Sequence, residues 1–325
     1  MAGEVIAAAG AGRMGRGIAI TFAIAGHKVL LVDLKNRPEA GFEDLQAGAQ
    51  TEIRSTLTML SGIGLFEDDQ VPRIMDRIEI HGVSTAESAI GSSDVIFEGV
   101  PETLEAKREA FADIGRYADP EAIVASTTST ILSNDLAPMV SNPERFLNAH
   151  WLNPAFLVPL VELSPADETS SDTTGKLKAL LESIGKIPVV CAASPGFIVP
   201  RIQALAMNEA ARMVEEGVAS VDDIDKATKY GFGFRFAILG MLEFIDWGGG
   251  DILYHASNYM HRATGSDRFK SPEIVGKNMA EGRIGLSAGK GFLDYGSMDV
   301  DAYRRERLEQ FVSMLKHLNV GPKIG

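Results

Sequence analysis

A glycine pattern near the beginning of the chain constrains its fold more than any other feature. Gly10, Gly12 and Gly15 form G-x-G-x-x-G between a short apolar run, 5–9, and a helical stretch, 16–25. In such a strand–turn–helix unit the first glycine permits the tight turn. The second lets the backbone approach a pyrophosphate, and the third lets helix and strand pack closely. The pattern therefore predicts a β-α-β unit with a dinucleotide pyrophosphate at the helix N-terminus.

An acid ends the second predicted strand, 28–33. Asp33 lies 18 residues after Gly15, at the position of the acid that accepts hydrogen bonds from the adenosine ribose. A 2′-phosphate there would meet a like charge, which favours NAD over NADP, although Lys35 and Arg37 follow closely and weaken this preference. The predicted cofactor-binding residues of this unit are Gly10, Gly12, Arg13, Met14, Gly15 and Asp33.

Short apolar runs continue to alternate with helical stretches up to about residue 193. Further strands are predicted at 94–98, 122–125, 145–149, 160–163 and 187–191, a helix at 103–117, and mainly helical structure over 40–78. This alternation predicts a mostly parallel, doubly wound α/β sheet. After Ser194 the chain is almost entirely helical, with a glycine-rich loop at 284–295 before the last helix. We therefore predict an α/β Rossmann domain over 1–193 and an all-α domain over 194–325.

The overall charge of the chain limits the partners that it can take. Lys and Arg total 31 against 44 Asp and Glu, a net charge of −13. A chain this acidic binds nucleic acid or an anionic membrane poorly, whereas small anionic ligands respond to local charge. No apolar run is long enough to span a membrane, and no Cys/His cluster has zinc-site spacing. The single cysteine, Cys191, and the absence of a basic N-terminal region predict a cytoplasmic protein.

Motifs spread over the whole chain resemble the L-3-hydroxyacyl-CoA dehydrogenase family. In chain order they are Gly10-Ala-Gly-Arg-Met-Gly15, Phe97-Glu-Gly-Val-Pro-Glu102 with Lys107, Ser126-Thr-Thr-Ser129, His150-Trp-Leu-Asn-Pro154, Val161-Glu162 and Pro195-Gly-Phe-Ile-Val199. The most specific part is the His-x-x-Asn-Pro box with a glutamate 12 residues later. The resemblance implies a Rossmann domain followed by a helical dimerisation domain, NAD as the cofactor, a small-molecule substrate, a homodimer, and a place in fatty acid metabolism.

Carried over position by position, the resemblance implies roles for the residues of these motifs. His150 resembles the catalytic base, Glu162 its partner, and Ser129 the serine that touches substrate and nicotinamide. Oxidation of an alcohol requires removal of the hydroxyl proton while C3 delivers a hydride. A histidine suits that task because it titrates near the working pH. A carboxylate on the other ring nitrogen fixes the tautomer and stabilises the imidazolium.

Three other motif residues have less definite roles. Asn153 is the asparagine of the His-x-x-Asn-Pro box and would hold the local loop. Glu102 and Lys107 resemble residues near the cofactor, but the pair could equally be a solvated pair at the start of a helix.

Three features depart from the acyl-CoA members of the family. Pro200 replaces an asparagine and removes a polar contact near the substrate. Residues 41–72 contain a single basic residue, Arg54, where cations would be expected to meet CoA phosphates. The segment 231–240 is more similar to relatives that act on free hydroxy acids, L-gulonate 3-dehydrogenase (lambda-crystallin) and carnitine dehydrogenase. In that segment Arg235 could bind a substrate carboxylate bidentately, or it could be a surface or inter-subunit residue.

We therefore predict an NAD-dependent dehydrogenase that interconverts a short-chain L-3-hydroxyacyl-CoA and its 3-oxoacyl-CoA. A dehydrogenase of a free 3-hydroxy acid is the first alternative. A non-catalytic NAD-binding protein of the crystallin type is the second. The third is a decarboxylating β-hydroxyacid dehydrogenase, for which Lys226 and Lys229 would be the nearest candidate acids.

Overall fold

The computed structural model describes residues 3–323. The chain divides into two compact units, of which the first ends at Ala206 and the second begins at Met207. This division lies within the helix Val199–Glu215. The predicted domain boundary after residue 193 stays a prediction.

The first unit is built on one eight-stranded sheet. Its strands are β1 (Ile6–Ala9), β2 (Val29–Val32), β3 (Ile78–His81), β4 (Val95–Glu98), β5 (Ile123–Ser126), β6 (Phe146–Trp151), β7 (Leu160–Pro165) and β8 (Ile187–Val190). Their order across the sheet is β3-β2-β1-β4-β5-β6-β7-β8. Every neighbouring pair is parallel except β6 and β7, which run antiparallel. The predicted, mostly parallel Rossmann-type sheet is confirmed.

Helices cover both faces of this sheet. They are α1 (Arg13–Ile24), α2 (Glu39–Gly62), α3 (Gln70–Met75), α4 (Val83–Gly91), α5 (Leu104–Tyr117), α6 (Ser133–Leu136) and α7 (Ser171–Ser183), with 3₁₀ turns at Ala137–Met139 and Pro143–Arg145. One apolar cluster joins the sheet to α1, α2 and α7, and a second joins it to α4 and α5. Because both faces are covered, β1 and β2 are buried along their whole length and contain only apolar residues.

The second unit is mainly helical, as predicted. After α8 (Val199–Glu215), which crosses the division, come α9 (Val221–Ala227), a π-helix (Thr228–Gly233), α10 (Phe234–Phe236), α11 (Met241–Gly248), α12 (Gly250–Thr264), α13 (Glu273–Ala280) and α14 (Val300–His317), with 3₁₀ turns at Asp267–Phe269 and Leu286–Ala288. None of the helices in residues 3–323 combines the length and the apolar composition that crossing a bilayer requires.

The glycine-rich loop before α14 folds around one buried carboxylate. Asp246, on α11, accepts hydrogen bonds from the backbone N–H of Phe292 at 2.9 Å and of Leu293 at 2.8 Å, and from the Tyr295 hydroxyl at 3.2 Å. A Cβ added to Gly291 would lie 2.0 Å from a carboxylate oxygen of Asp246. Only glycine therefore fits where this loop passes the acid.

In the first unit a buried lysine fastens the loop that joins β6 to β7. The Nζ of Lys186 donates hydrogen bonds to the carbonyl oxygens of Ala155 at 2.6 Å and Val158 at 2.7 Å. It lies 5.5 Å from the centre of a Trp151 ring. Desolvation by burial lowers the pKa of Lys186 to about 8, because removing the ammonium from water disfavours its charged form.

The lowered pKa of Lys186 gives the stability of the protein a specific pH dependence. Between pH 8 and the pKa near 10.4 of an unfolded lysine, the unfolded chain holds this proton more tightly, so the free energy of unfolding rises with pH. We expect this contribution to be on the order of 2 kcal/mol between pH 7.5 and 10 in the wild type and to be absent from Lys186→Met. Urea unfolding at the two pH values measures it. Lys178→Met, which changes an exposed lysine on α7, should keep the wild-type rise; an equal rise in Lys186→Met would contradict the assignment.

Candidate active site

Two of the three glycines after β1 are required by packing alone. Gly10 has a φ of +129°, and a Cβ there would lie 2.5 Å from the carbonyl oxygen of Gly99. A Cβ on Gly15 would lie 1.9 Å from the carbonyl oxygen of Gly10. The turn and the start of α1 therefore pack too closely for any side chain at these two positions.

The middle glycine has a different explanation. A Cβ on Gly12 would meet no protein atom within 4 Å, and the φ of Gly12 is −80°. Neither packing nor backbone conformation demands glycine at this position, which caps the N-terminus of α1. A glycine here is explained by the close approach of a ligand to the backbone, as the pyrophosphate of a dinucleotide would make. The residues present therefore fit NAD.

The glycine turn and Asp33 line one cleft of about 430 Å³ at the carboxyl ends of β1, β2 and β4. Asp33 is buried, and its Oδ2 accepts a hydrogen bond from Nε of Arg37 at 2.5 Å. Lys35 also lines this cleft, as does Arg16, which pairs with Glu52. The cations that the sequence placed near Asp33 thus belong to the same cleft, and one of them contacts the acid directly.

Next to this cleft lies a buried ion pair between Lys107, a predicted site residue, and Glu98, for which the sequence predicted no role. Glu98 ends β4, and Lys107 on α5 donates to both of its carboxylate oxygens at 3.0 Å. Neither side chain is exposed to solvent. The Ser126 hydroxyl at 2.7 Å and the Val100 N–H at 2.9 Å supply two further hydrogen bonds to the carboxylate. A buried ion pair is favourable only when further hydrogen bonds satisfy the remaining lone pairs of the carboxylate. These contacts also join the ends of β4 and β5 to α5.

Glu102 holds the Ser/Thr-rich loop that follows β5. Its Oε1 accepts hydrogen bonds from the backbone N–H of Ser129 at 3.0 Å and of Thr130 at 3.1 Å, and from the Thr128 hydroxyl. Burial opposes ionisation of Glu102, but these hydrogen bonds and the charge of Lys107 outweigh it and lower the pKa of Glu102. Lys107 lies 3.7 Å from Glu102, and its side chain is fully buried, so it is not the solvated lysine that the sequence left as the alternative.

His150 and Glu162 are brought together by the one antiparallel pair in the sheet. They are directly opposite each other on β6 and β7, and Nδ1 of His150 lies 2.7 Å from Oε2 of Glu162. Both side chains are buried. The other oxygen, Oε1, accepts hydrogen bonds from the N–H groups of Ile198 at 2.9 Å and Val199 at 2.8 Å. In the described part of the chain, Nε2 of His150 makes no hydrogen bond, so it is the nitrogen available for proton transfer.

Two other predicted site residues are less engaged. Asn153 is exposed in the loop between β6 and β7, and within residues 3–323 its side chain makes no hydrogen bond. The contacts that fasten this loop come from Lys186 instead. Arg235 lies in the second unit, where its Nε donates to the Gly231 carbonyl at 2.8 Å and its guanidinium lies 4.8 Å from the centre of the Phe244 ring. The site role of Asn153 and the substrate role of Arg235 stay predictions.

Substitution of Gly12 should affect NAD binding, whereas substitution of Gly15 should affect the stability of the protein. Gly12→Ala is expected to weaken NAD binding by about 10-fold or more, which is about 1.4 kcal/mol, with an unchanged free energy of unfolding. Gly15→Ala is expected to destabilise the protein by about 1–3 kcal/mol through overpacking. Fluorescence titration with NADH and urea unfolding of both variants measure the two effects. A Gly12→Ala variant that is destabilised but binds NADH normally would refute this explanation of Gly12.

Comparison with known protein families covers almost the whole chain. The profile of the 3-hydroxyacyl-CoA dehydrogenase NAD binding domain matches residues 5–194. The profile of the 3-hydroxyacyl-CoA dehydrogenase C-terminal domain matches residues 196–295.

The matches to individual relatives cover most of this chain and most of each relative. A probable 3-hydroxybutyryl-CoA dehydrogenase of Bacillus subtilis is 32% identical over 89% of this chain and 96% of its own. A 5-formyl-3-hydroxy-2-methylpyridine 4-carboxylate 5-dehydrogenase of Mesorhizobium japonicum is 28% identical over 96% of this chain and 97% of its own.

A solved structure leads to the same assignment. The crystal structure of a 3-hydroxyacyl-CoA dehydrogenase from Archaeoglobus fulgidus matches 98% of this chain and all of its own, with a TM-score of 0.76 and 31% identity. The NAD-binding cleft, the matched domain profiles and these relatives together show that the chain belongs to the 3-hydroxyacyl-CoA dehydrogenase family of NAD-dependent oxidoreductases acting on CH–OH groups.

Proposed function

We propose that the chain interconverts an L-3-hydroxyacyl-CoA of short chain and the corresponding 3-oxoacyl-CoA, with His150 as the general base. The observation that carries this proposal is the buried hydrogen bond between Nδ1 of His150 and Oε2 of Glu162. It leaves Nε2 unbonded in residues 3–323, as a base that receives a substrate proton must be. A backbone carbonyl at Nδ1 would also fix the tautomer, but the Glu162 carboxylate in addition stabilises the positive charge that the imidazole gains with the proton.

Three side chains, those of His150, Glu162 and Ser129, have separate roles in the proposed alcohol oxidation. Nε2 of His150 takes the proton of the C3 hydroxyl, and Glu162 stabilises the imidazolium that forms. The Ser129 hydroxyl, on the loop that Glu102 holds, would donate a hydrogen bond to the developing alkoxide. Bound NAD supplies the hydride acceptor. The glycine turn and Asp33 would hold its pyrophosphate and adenosine ribose.

Two substrate classes, a CoA thioester and a free hydroxy acid, agree with the proposed chemistry. A CoA thioester accords with the family and with the Bacillus subtilis relative. A free hydroxy acid is the alternative, because residues 41–72 offer only Arg54 as a cation for CoA phosphates. The Mesorhizobium japonicum relative is named for a pyridine carboxylate rather than a CoA ester, which also favours this alternative. In that case Arg235 would bind the substrate carboxylate.

We also propose a homodimer in the cytoplasm. The second unit exposes large apolar side chains, among them Met207, Ile252 and Tyr259, which suit an isologous interface. The single cysteine accords with a reducing compartment. Light scattering in solution tests the dimer directly.

A side-by-side assay of two related oxo substrates separates the thioester from the free acid. We expect NADH oxidation with acetoacetyl-CoA and a rate with free acetoacetate that is lower by at least about 10-fold, because the thioester adds binding energy outside the reacting carbons. Absorbance at the NADH band reports both reactions. A rate confined to acetoacetate would overturn the acyl-CoA assignment and support the free-acid alternative. Binding of NADH without turnover of either substrate would favour a non-catalytic protein.

Removal of the imidazole tests the catalytic base. His150→Asn should lower kcat by on the order of 10²–10⁴, the usual effect of losing a general base, while NADH binds within about threefold of the wild-type affinity. Steady-state kinetics and fluorescence titration supply the two readings. His317→Asn changes an exposed histidine at the end of α14 and should leave both unchanged. Turnover near the wild-type level in His150→Asn would eliminate His150 as the base.

A further inference from the structure

The turn that leads into α8 has an unusual backbone. Gly196 and Phe197 both have positive φ, +75° and +44°. Glycine adopts this left-handed conformation freely, but the Cβ of a phenylalanine collides with the backbone there. In residues 3–323 the only other non-glycine residue with positive φ is Asn319, a residue type that tolerates it. Residues held in such conformations gather at functional sites, where the surrounding structure compensates their cost.

The strained turn brings the Phe197 ring to His150. Phe197 is buried, with 4% of its surface exposed, and its ring centre lies 5.7 Å from that of the imidazole at an angle of 30°. The turn itself is closed by a hydrogen bond from the Phe197 N–H to the Ser194 carbonyl at 2.9 Å. An apolar ring therefore lies beside the imidazole that is proposed to carry the proton.

The same turn also contacts the partner of His150. The two N–H groups that follow Phe197, those of Ile198 and Val199, donate to Oε1 of Glu162. Glu162 thus holds His150 with one oxygen and the turn with the other. The imidazole is restrained at Nδ1 by this carboxylate and along its side by the ring of Phe197. If the imidazole were free to rotate, Nε2 would lose its alignment with the substrate hydroxyl. Small misplacements of a reacting group lower the reaction rate strongly.

We propose that Phe197 is a positioning residue, whose ring keeps the His150 imidazole oriented for proton transfer and whose strained backbone serves that contact. The inference rests on the proposed role of His150 as the general base. It goes beyond that role by explaining why a phenylalanine occupies a backbone conformation that glycine would adopt without cost.

Two substitutions at this position separate orientation from stability. Phe197→Ala removes the ring but keeps a Cβ in the left-handed conformation, whereas Phe197→Gly removes both the ring and the strain. We expect kcat to fall about 10–100-fold in both variants, with KM within about threefold. Phe197→Gly should unfold at a higher urea concentration than Phe197→Ala. Phe111→Ala removes a buried ring on α5 outside the site and shows how far lost stability alone lowers kcat.

The outcomes discriminate between the two roles. A Phe197→Gly variant with wild-type kcat, or a loss in kcat that follows stability across the three variants, would overturn the proposal and leave Phe197 a structural residue. The effect of Phe197→Gly is also measured in a His150→Asn background. If the ring acts through the imidazole, it costs nothing further there; an equal loss in both backgrounds would refute the inference. Full activity of His150→Asn alone would instead refute the proposed base.

Discussion

The antiparallel pairing of β6 with β7 is the constraint on which the rest of the site depends. Six strands run parallel up to β6, and the chain then turns back instead of crossing over. Directly opposite residues in an antiparallel pair have neighbouring Cβ atoms on the same face, so His150 and Glu162 meet without any long side-chain reach. A slip of one residue in register would move Glu162 to the other face of the sheet. The pairing of His150 with Glu162, on which the proposed catalysis rests, therefore follows from the register of the two strands.

Carboxylates on the strands, or in the loops that follow them, hold the irregular backbone around this pair. Glu98 links β4 to the end of β5 and to α5. Glu102 accepts hydrogen bonds from the N–H groups of residues 129 and 130, and Glu162 accepts them from residues 198 and 199. Each acid accepts hydrogen bonds from backbone N–H groups that lie outside regular helix or strand pairing. In the second unit Asp246 does the same for residues 292 and 293. The chain is acidic overall, but these four acids act locally as fixed acceptors and shape irregular backbone.

The sequence predicted those parts of the fold that local patterns determine. The glycine turn and the apolar runs of buried parallel strands are local signals, and they led to the Rossmann sheet and the helical second unit. β3 was not predicted because Ile78–His81 lacks the continuous apolar run that indicated the buried strands; it alternates apolar and polar residues, as an edge strand does. The direction of β7 depends on pairing with β6, which no local pattern encodes. Fixed acceptors and donors such as Glu98 and Lys186 were missed for the same reason, because Lys107 lies 9 residues from Glu98 and Ala155 lies 31 residues from Lys186. The positive φ of Phe197 was not predicted either, because non-glycine residues rarely adopt it.

The lysine that fastens the β6–β7 loop has a consequence for how the site tolerates alkali. Lys186 contacts two carbonyl oxygens, and a neutral amine still carries two N–H groups. Loss of the third proton removes the charge without removing either hydrogen bond. Lys186 therefore holds the loop between His150 and Glu162 in both of its protonation states. The geometry of the site does not depend on whether the Lys186 amine is charged.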